Sequence, residues 1–541
     1  MIWVITYIGV VLFLVLMYKY LTRNYNHWNI RKIPTARGAV LGFGHMLDVM
    51  MLKKNLSTLL QETYNAYPDV SMVGLFDFDQ PALLIKDPEL VKTVIQIEFA
   101  SFSDHMTLNI FADPLLTMDP AFVNGEKWKH IRGMFSKAFS VKNLKFISLV
   151  AKYECDKLVE FIDKKFDKES VVDVNAKHLF SNFTAQVVAH MIFGVDGEAF
   201  DDFHLPESFR TMMDAMFEAN VITGIRQNIF FSLPLVGKLL NVGFVPSWVN
   251  VTFTRVVNEI RELRKSLNLK KYDILQQIID YEADNKYGDV VACYAFLFFI
   301  EGYETSSLTL SSTAYLLSKY PKFQTKARKE VDRVMDKYKS ICYDAINEMT
   351  YLDQIIQEAI RLFSPVASMQ KICTKSITLQ GVDGLACALD PGDVVFISSV
   401  GIHRDEKYWQ NPNDFNPDRF AKGSEGYRKH MYLGFGEGPR KCPGKRMAIV
   451  QVKAAMAIIL KNYIIEASSR TVEPVKIEPK YFLTTAQGGF WIELRRLTCS
   501  YLSQKLSQFS MSNEGSSQSS NQSEKRPLSD YEDELPQAKR K

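Results

Sequence analysis

Between Asp289 and Tyr320 the chain runs without a proline, and Pro321 then stops it. This stretch is apolar nearly all round, through Val290, Val291, Tyr294 and Phe296 to Ile300. It therefore predicts a long helix that passes through a core instead of lying on one. Inside it stands Glu301-Gly302-Tyr303-Glu304-Thr305-Ser306. Two carboxylates, a helix-weakening glycine and a hydroxyl are costly in a buried helix unless they are paired or used. Glu301 and Thr305 are four apart and share one face. Acids satisfied by neighbouring bases are the plain reading, and a reactive group inside the core is the sharper one.

The rest of the chain can supply that core. Its 541 residues are 47% hydrophobic, enough for one large core or two ordinary ones. Aromatics reach 12%, with 36 Phe, which leaves an apolar interior suited to a flat hydrophobic ligand. A net charge of +4 is mild for this length and gives no case for nucleic-acid binding. Cysteines at 155, 293, 342, 373, 387, 442 and 499 are scattered, odd in number and free of any C-x-x-C pair. That pattern argues against a disulfide framework and a zinc site, and for a reducing compartment.

The two ends differ from the middle. Residues 1–18 carry no charged side chain and reach about 27 Å as a helix, enough for a thin bilayer. Lys19, Arg23, Arg31 and Lys32 follow, so the positive-inside rule predicts an uncleaved anchor with the C-terminal bulk in the cytosol. Residues 19–34 read as a hinge and 35–497 as one globular domain. Long helical patterns dominate that domain, as in Val141–Phe166 and Tyr320–Tyr338. Extended signals are confined to short runs such as Val70–Leu75, Ala82–Ile85 and Phe490–Leu494. The expected fold is mainly α with a smaller β region (α+β). From 498 to 541 Ser, Gln and Asn take over and apolar periodicity ends, the signature of a disordered tail.

The second informative stretch is Phe435-Gly-Glu-Gly-Pro-Arg-Lys-Cys-Pro-Gly444. Glycines let the backbone approach a bulky flat ligand and take positive φ angles. The prolines stiffen the loop, and Arg440 stands two residues before the thiol of Cys442. A sulfur on a rigid loop beside a fixed cation suits a thiolate ligand to an iron cofactor that bears carboxylates. Upstream, Glu358 and Arg361 lie three apart on a predicted helix over Tyr351–Phe363, and Asn416-Pro-Asp-Arg-Phe420 is a proline-punctuated loop with another arginine.

Taken in order, these motifs resemble the cytochrome P-450 family of haem-thiolate monooxygenases over essentially residues 1 to 497. Phe435, Gly438, Arg440, Cys442 and Gly444 fill the family's F-x-x-G-x-R-x-C-x-G loop. Glu358 and Arg361 fill its E-x-x-R, with Arg419 completing a salt-bridged trio, and Trp128-Lys-His-Ile-Arg132 fills its W-x-x-x-R. The details are most similar to the insect microsomal branch that metabolises xenobiotics and hormones. The resemblance implies the family's fold with an N-terminal transmembrane helix, haem b as cofactor and Cys442 as the iron ligand. It further implies that Arg440, Trp128, Arg132 and Lys371 neutralise the haem propionates. Thr305 would hydrogen-bond dioxygen, and Glu304 would relay the protons that cleave it. Phe296, Phe299, Glu301, Val366, Ala367 and Thr484 would line the pocket for a lipophilic substrate such as a xenobiotic, insecticide, hormone or fatty acid. Electrons would come from NADPH through the membrane NADPH–cytochrome reductase, with cytochrome b5 as a second donor. Lys127, Lys129, Lys137, Lys441, Lys445 and Arg446 would form the docking face. The site implied is the endoplasmic reticulum membrane, with the catalytic domain on its cytosolic face.

Two departures stand out. Most of the family has a small residue where Glu301 stands, and a carboxylate there should be neutralised, paired or bonded. One branch, the fatty-acid hydroxylases, carries E-G-x-D-T and can esterify this glutamate to a haem methyl, so Glu301 is a candidate for the same link or for contact with a polar part of the substrate. The proline-rich hinge of the family is reduced here to Pro34. Two other functions compete with the monooxygenase: a haem-thiolate isomerase or dehydratase, and a haem-binding protein without turnover. Members of the first kind tend to lose the acid–alcohol pair that Glu304 and Thr305 retain.

Overall fold

The computed structural model describes residues 2–105, 112–167, 169–200, 208–282, 288–424 and 429–497. The segment 498–541, expected as a tail, lies outside the described residues. The proline-free stretch forms one helix, Val291–Lys319, ended by Tyr320 and Pro321 as the sequence requires. Tyr294 to Phe299 and Ser306 to Ser318 are buried along it. The helix Ala176–Phe193 packs along this central helix and is itself buried on nearly every face. Thr350–Leu362 and Lys445–Asn462 also pack on it, and Val141–Phe166 packs against Lys445–Asn462. The helix ends fall within a few residues of those read from the sequence.

Strand structure is confined to small sheets. Met72–Asp77 pairs antiparallel with Gln80–Ile85, which runs parallel to Val394–Ser398, and Ser368–Ile372 closes the other edge antiparallel. A second sheet joins Val172–Asn175, Trp491–Arg496 and Tyr463–Ala467, and a third is the hairpin Ile377–Gln380 with Ala386–Leu389. Isolated hydrophobic runs in a helical chain thus became strands where turn residues bound them on both sides.

At the N-terminus the apolar helix Ile2–Thr22 has no buried residue and is long enough to cross a membrane. Its end is stitched to the first sheet: Arg23 pairs with Asp79, and the Asn24 amide donates to the Asp79 carbonyl at 2.8 Å. Four residues on, Trp28 is 2% exposed and donates its indole N–H to the Leu75 carbonyl at 3.0 Å. The ring lies so close over Gly74 that a Cβ there would stand 2.3 Å from it. Residues 24–33, read as hinge, therefore pack on the sheet. Trp28→Ala should destabilise the protein by about 3–5 kcal/mol through the cavity it leaves. Gly74→Ala should lower the denaturation midpoint as well, because the indole would be displaced.

Candidate functional site

A buried ion cluster fixes the loop that carries Cys442. Arg361 and Glu358 are each 0% exposed, and the guanidinium meets the carboxylate in a fork at 2.7 and 2.8 Å. Arg361 also donates to the carbonyls of His403 (2.6 Å), Pro412 (2.7 Å) and Asp414 (3.3 Å). Glu358 accepts in addition from the Asn416 N–H at 2.9 Å and from Arg419 at 3.2 Å. Burial, with Arg361 beside it, pushes His403 down to about 3, so the ring is neutral. Its Nε2 accepts the Leu433 N–H at 2.8 Å, two residues before the loop begins at Phe435.

Within the loop the Cys442 N–H donates to the Phe435 carbonyl at 2.8 Å. The N–H groups of Gly444 and Lys445, at the start of the helix Lys445–Asn462, point at the sulfur. Gly438 has φ +76°, and a Cβ there would sit 1.9 Å from the Ile95 carbonyl oxygen, so the turn requires glycine. The Lys445 ammonium lies 5.2 Å from the centre of the Phe435 ring. Cys442 is exposed by surface area, yet it opens into the interior and not to bulk water. Burial, followed by the charge of Glu301, pushes its thiol up to about 11. The sulfur thus faces the acid-bearing turn of the central helix, and a thiol so placed becomes a thiolate when a metal ion binds it.

Next to the loop lies a group of cations. Arg440 donates to the carbonyls of Ser103, Pro120 and Val123 and to Asn124, and stacks 4.4 Å over the Trp128 ring. Burial holds Arg440 down to about 10. Lys371 is 3% exposed, has no hydrogen-bond or ion-pair partner among the described residues, and is pushed down to about 7 by burial and then by Arg440. Arg132 is half-buried and likewise has no side-chain partner among the described residues; burial lowers it too. His105 is pushed down to about 3 by burial, Lys371 and Arg440, so it adds no charge. Three cations around one interior space call for anionic groups.

Across from the sulfur, Glu301 and Thr305 share one face of the central helix, and the Thr305 hydroxyl donates to the Glu301 carbonyl at 3.0 Å. Both line a cavity of about 350 Å³ with Leu116, Asp119, Phe122, Ile300, Val366 and Phe482 among its walls. Glu301, like Cys442, is exposed by surface area but opens into this interior space, and burial pushes it up to about 7. Glu304 lies one residue, hence about 100°, away and is 1% exposed. Its Oε1 accepts from the Tyr481 hydroxyl at 2.5 Å and from Lys177 at 3.1 Å, and its Oε2 has no partner among the described residues.

Three residues expected in the pocket, Phe296, Phe299 and Thr484, are not among those that line it. Phe296 and Phe299 turn away from the cavity and pack on Phe253 and Phe209, each at 5.0 Å, because an all-round apolar helix does not announce which face meets a ligand. Thr484 lines a different cleft with Tyr315 and Phe363, and its neighbours Phe482 and Leu483 take the expected place. Val366 and Ala367 do line the cavity. Sequence reading missed Asp119, Lys177 and Tyr481, whose partners lie far away in the chain.

The family model for cytochrome P450 matches residues 34–492. The chain belongs to the cytochrome P450 family. It is an oxidoreductase of monooxygenase type, and its cofactor is haem b with thiolate-ligated iron. It is 30% identical over 487 residues to cytochrome P450 6j1 of Blattella germanica, covering 89% of this chain and 95% of that protein. It is 30% identical over 496 residues to probable cytochrome P450 28d2 of Drosophila melanogaster (88% and 96% covered) and 29% identical over 524 residues to cytochrome P450 9e2 of Blattella germanica (90% and 97%). The residues present fit that cofactor: a sulfur held by backbone N–H groups, and three neighbouring cations, of which Lys371 and Arg440 have only Asp104 as a nearby carboxylate among the described residues, where the cofactor's carboxylates would lie.

Glu358→Ala should cost about 3–5 kcal/mol, because it leaves Arg361 buried without its counter-charge. The loss should be read as a fall in both the denaturation midpoint and the haem retained per chain.

Proposed function

We propose that this chain inserts one oxygen atom of dioxygen into lipophilic small molecules, with Cys442 as the thiolate ligand of haem b. The observation that carries the reading is the facing of Cys442 by the Glu301–Thr305 turn across an interior space that continues into an apolar cavity. In this reading Arg440, Arg132 and Lys371 neutralise the haem propionates. Trp128 stacks under Arg440 and holds its fork in place. Phe435 fixes Cys442 through its carbonyl and shields the loop beside the sulfur. When bound, thiolate-ligated haem activates dioxygen, and electron donation from the sulfur favours O–O cleavage.

The chain's own residues manage the protons. The Thr305 hydroxyl lies at the cavity wall, within reach of a ligand bound there. Glu304 sits behind it, and its ion pair with Lys177, whose side chain is 26% exposed, links the buried acid to the surface. Lys177 and Tyr481 hold Glu304 in position, so they are positioning residues and Glu304 is the proton carrier. Electrons come from NADPH through a membrane reductase, with cytochrome b5 as a second donor. Exposed Lys129, Lys137, Lys441, Lys445 and Arg446, on the helix Gly125–Ala138 and around the Cys442 loop, form the docking surface. The helix Ile2–Thr22 anchors the protein in the endoplasmic reticulum with the body on the cytosolic side, as the basic residues after it direct.

Reduced protein under carbon monoxide should show the thiolate Soret band, and NADPH should be consumed when reductase and a lipophilic substrate are added. Absence of the band would overturn the assignment of Cys442. Glu304→Gln should slow turnover about 10²-fold. Thr305→Ala should keep oxidising NADPH while peroxide replaces product. Denaturing chromatography at acid pH decides whether Glu301 is esterified to the haem. Haem that elutes free, the outcome we expect, leaves Glu301 as a free acid able to act with Asp119.

A further inference from the structure

The cavity wall carries four carboxyl side chains, Asp77, Asp119, Glu301 and Glu304, against one lysine, Lys480, among the described residues that line it. Glu304 is taken by Lys177. The other acids are not matched in this way. Asp119 is 2% exposed, and its Oδ1 accepts the Ala121 N–H at 2.7 Å. No basic side chain pairs with it among the described residues. Glu301 comes from the central helix and lines the same cavity, and its carboxyl has neither a hydrogen bond nor an ion pair among the described residues. The two acids are near neighbours: burial, followed by the charge of Glu301, lifts Asp119 well above the usual carboxylate range. The wall around them is apolar, with Leu116, Phe122, Ile300 and Phe482.

We infer that Asp119 and Glu301 form a subsite for a protonated nitrogen, so that the preferred substrates are lipophilic bases. This rests on the monooxygenase reading of the cavity. Two carboxyls enclosed in an apolar space cannot both be ionised unless a cation joins them. A protonated amine supplies that cation and donates charge-assisted hydrogen bonds to both. Its hydrocarbon part buries against the apolar wall, at roughly 25 cal/mol per Å². A neutral molecule of the same shape gains only the second term. A fatty-acid carboxylate brings no cation to join the two groups and adds a third acid to the same enclosed space, where its own charge is desolvated.

Spectral titration of the haem-loaded protein tests this with a matched pair of probes. N-benzylpiperidine is a hindered base; N-benzoylpiperidine has the same skeleton with its nitrogen neutralised as an amide. Laurate is the third probe. The base should bind at least about tenfold more tightly than the amide, as expected of one charge-assisted contact. Laurate should bind more weakly than the base. In Asp119→Asn the preference for the base over the amide should disappear while the reduced carbon-monoxide spectrum stays intact. Equal affinities for the base and the amide, a preference that survives Asp119→Asn, or tighter binding of laurate would each overturn the subsite. If Asp119→Asn fails to accumulate with haem, the wild-type order of the three probes decides alone. Failure of the monooxygenase reading would show elsewhere, as loss of the thiolate band or of NADPH consumption, and leaves the order of affinities separately readable.

Discussion

The site depends on a fully buried carboxylate held between two arginines. Glu358 and Arg361 are both removed from water, a position that is unfavourable for either alone and tolerable only because every remaining donor and acceptor is used. The fork spends Arg361 on three carbonyls of the 403–414 segment, and Glu358 on Asn416 and Arg419. This segment has little regular structure of its own, so the cluster replaces the hydrogen-bond ladder that a helix or strand would have provided. Neutral His403 then passes the fixed geometry to Leu433 and thence to the thiol loop. A salt bridge here does less to add stability than to specify one path for the backbone.

The central helix divides its duties by angle. Glu301 and Thr305 share one face, while Glu304, one step round and also at the cavity wall, is held by Tyr481 and Lys177. Neighbouring carboxyls on one helix thus differ in their partners, Glu304 being tied to a base and a phenol while the Glu301 carboxyl has no such partner among the described residues. Gln451, from the helix after Cys442, donates to the Gly302 carbonyl at 2.9 Å and to Ser306 at 2.6 Å, which ties this turn to the helix that presents the sulfur.

Much of this was legible in the chain. The bounds of the helix from Val291 to Lys319 follow from proline placement and apolar content, and the sequence motifs already group Glu358, Arg361 and Arg419. What was not legible has a common cause. Periodicity tells which residues share a face but not what that face meets, so Phe296 and Phe299 were assigned to a cavity they turn away from, where Ile300 stands. Thr484 was misplaced by the same uncertainty, in a loop where successive side chains point to different clefts. Asp119 and Lys177 gain meaning only from partners more than a hundred residues away, and no local pattern marks such a pair.

Trp28 carries a consequence for how substrate arrives. Only four residues separate the helix Ile2–Thr22 from the helix His27–Ile30, and within that gap Arg23 and Asn24 are already attached to Asp79. Even fully extended, four residues reach about 14 Å. With the helix in a bilayer, the body is therefore on a short leash and cannot tumble freely above the surface. Lipophilic molecules concentrate in a membrane, and a body leashed this closely to one would meet them at its surface.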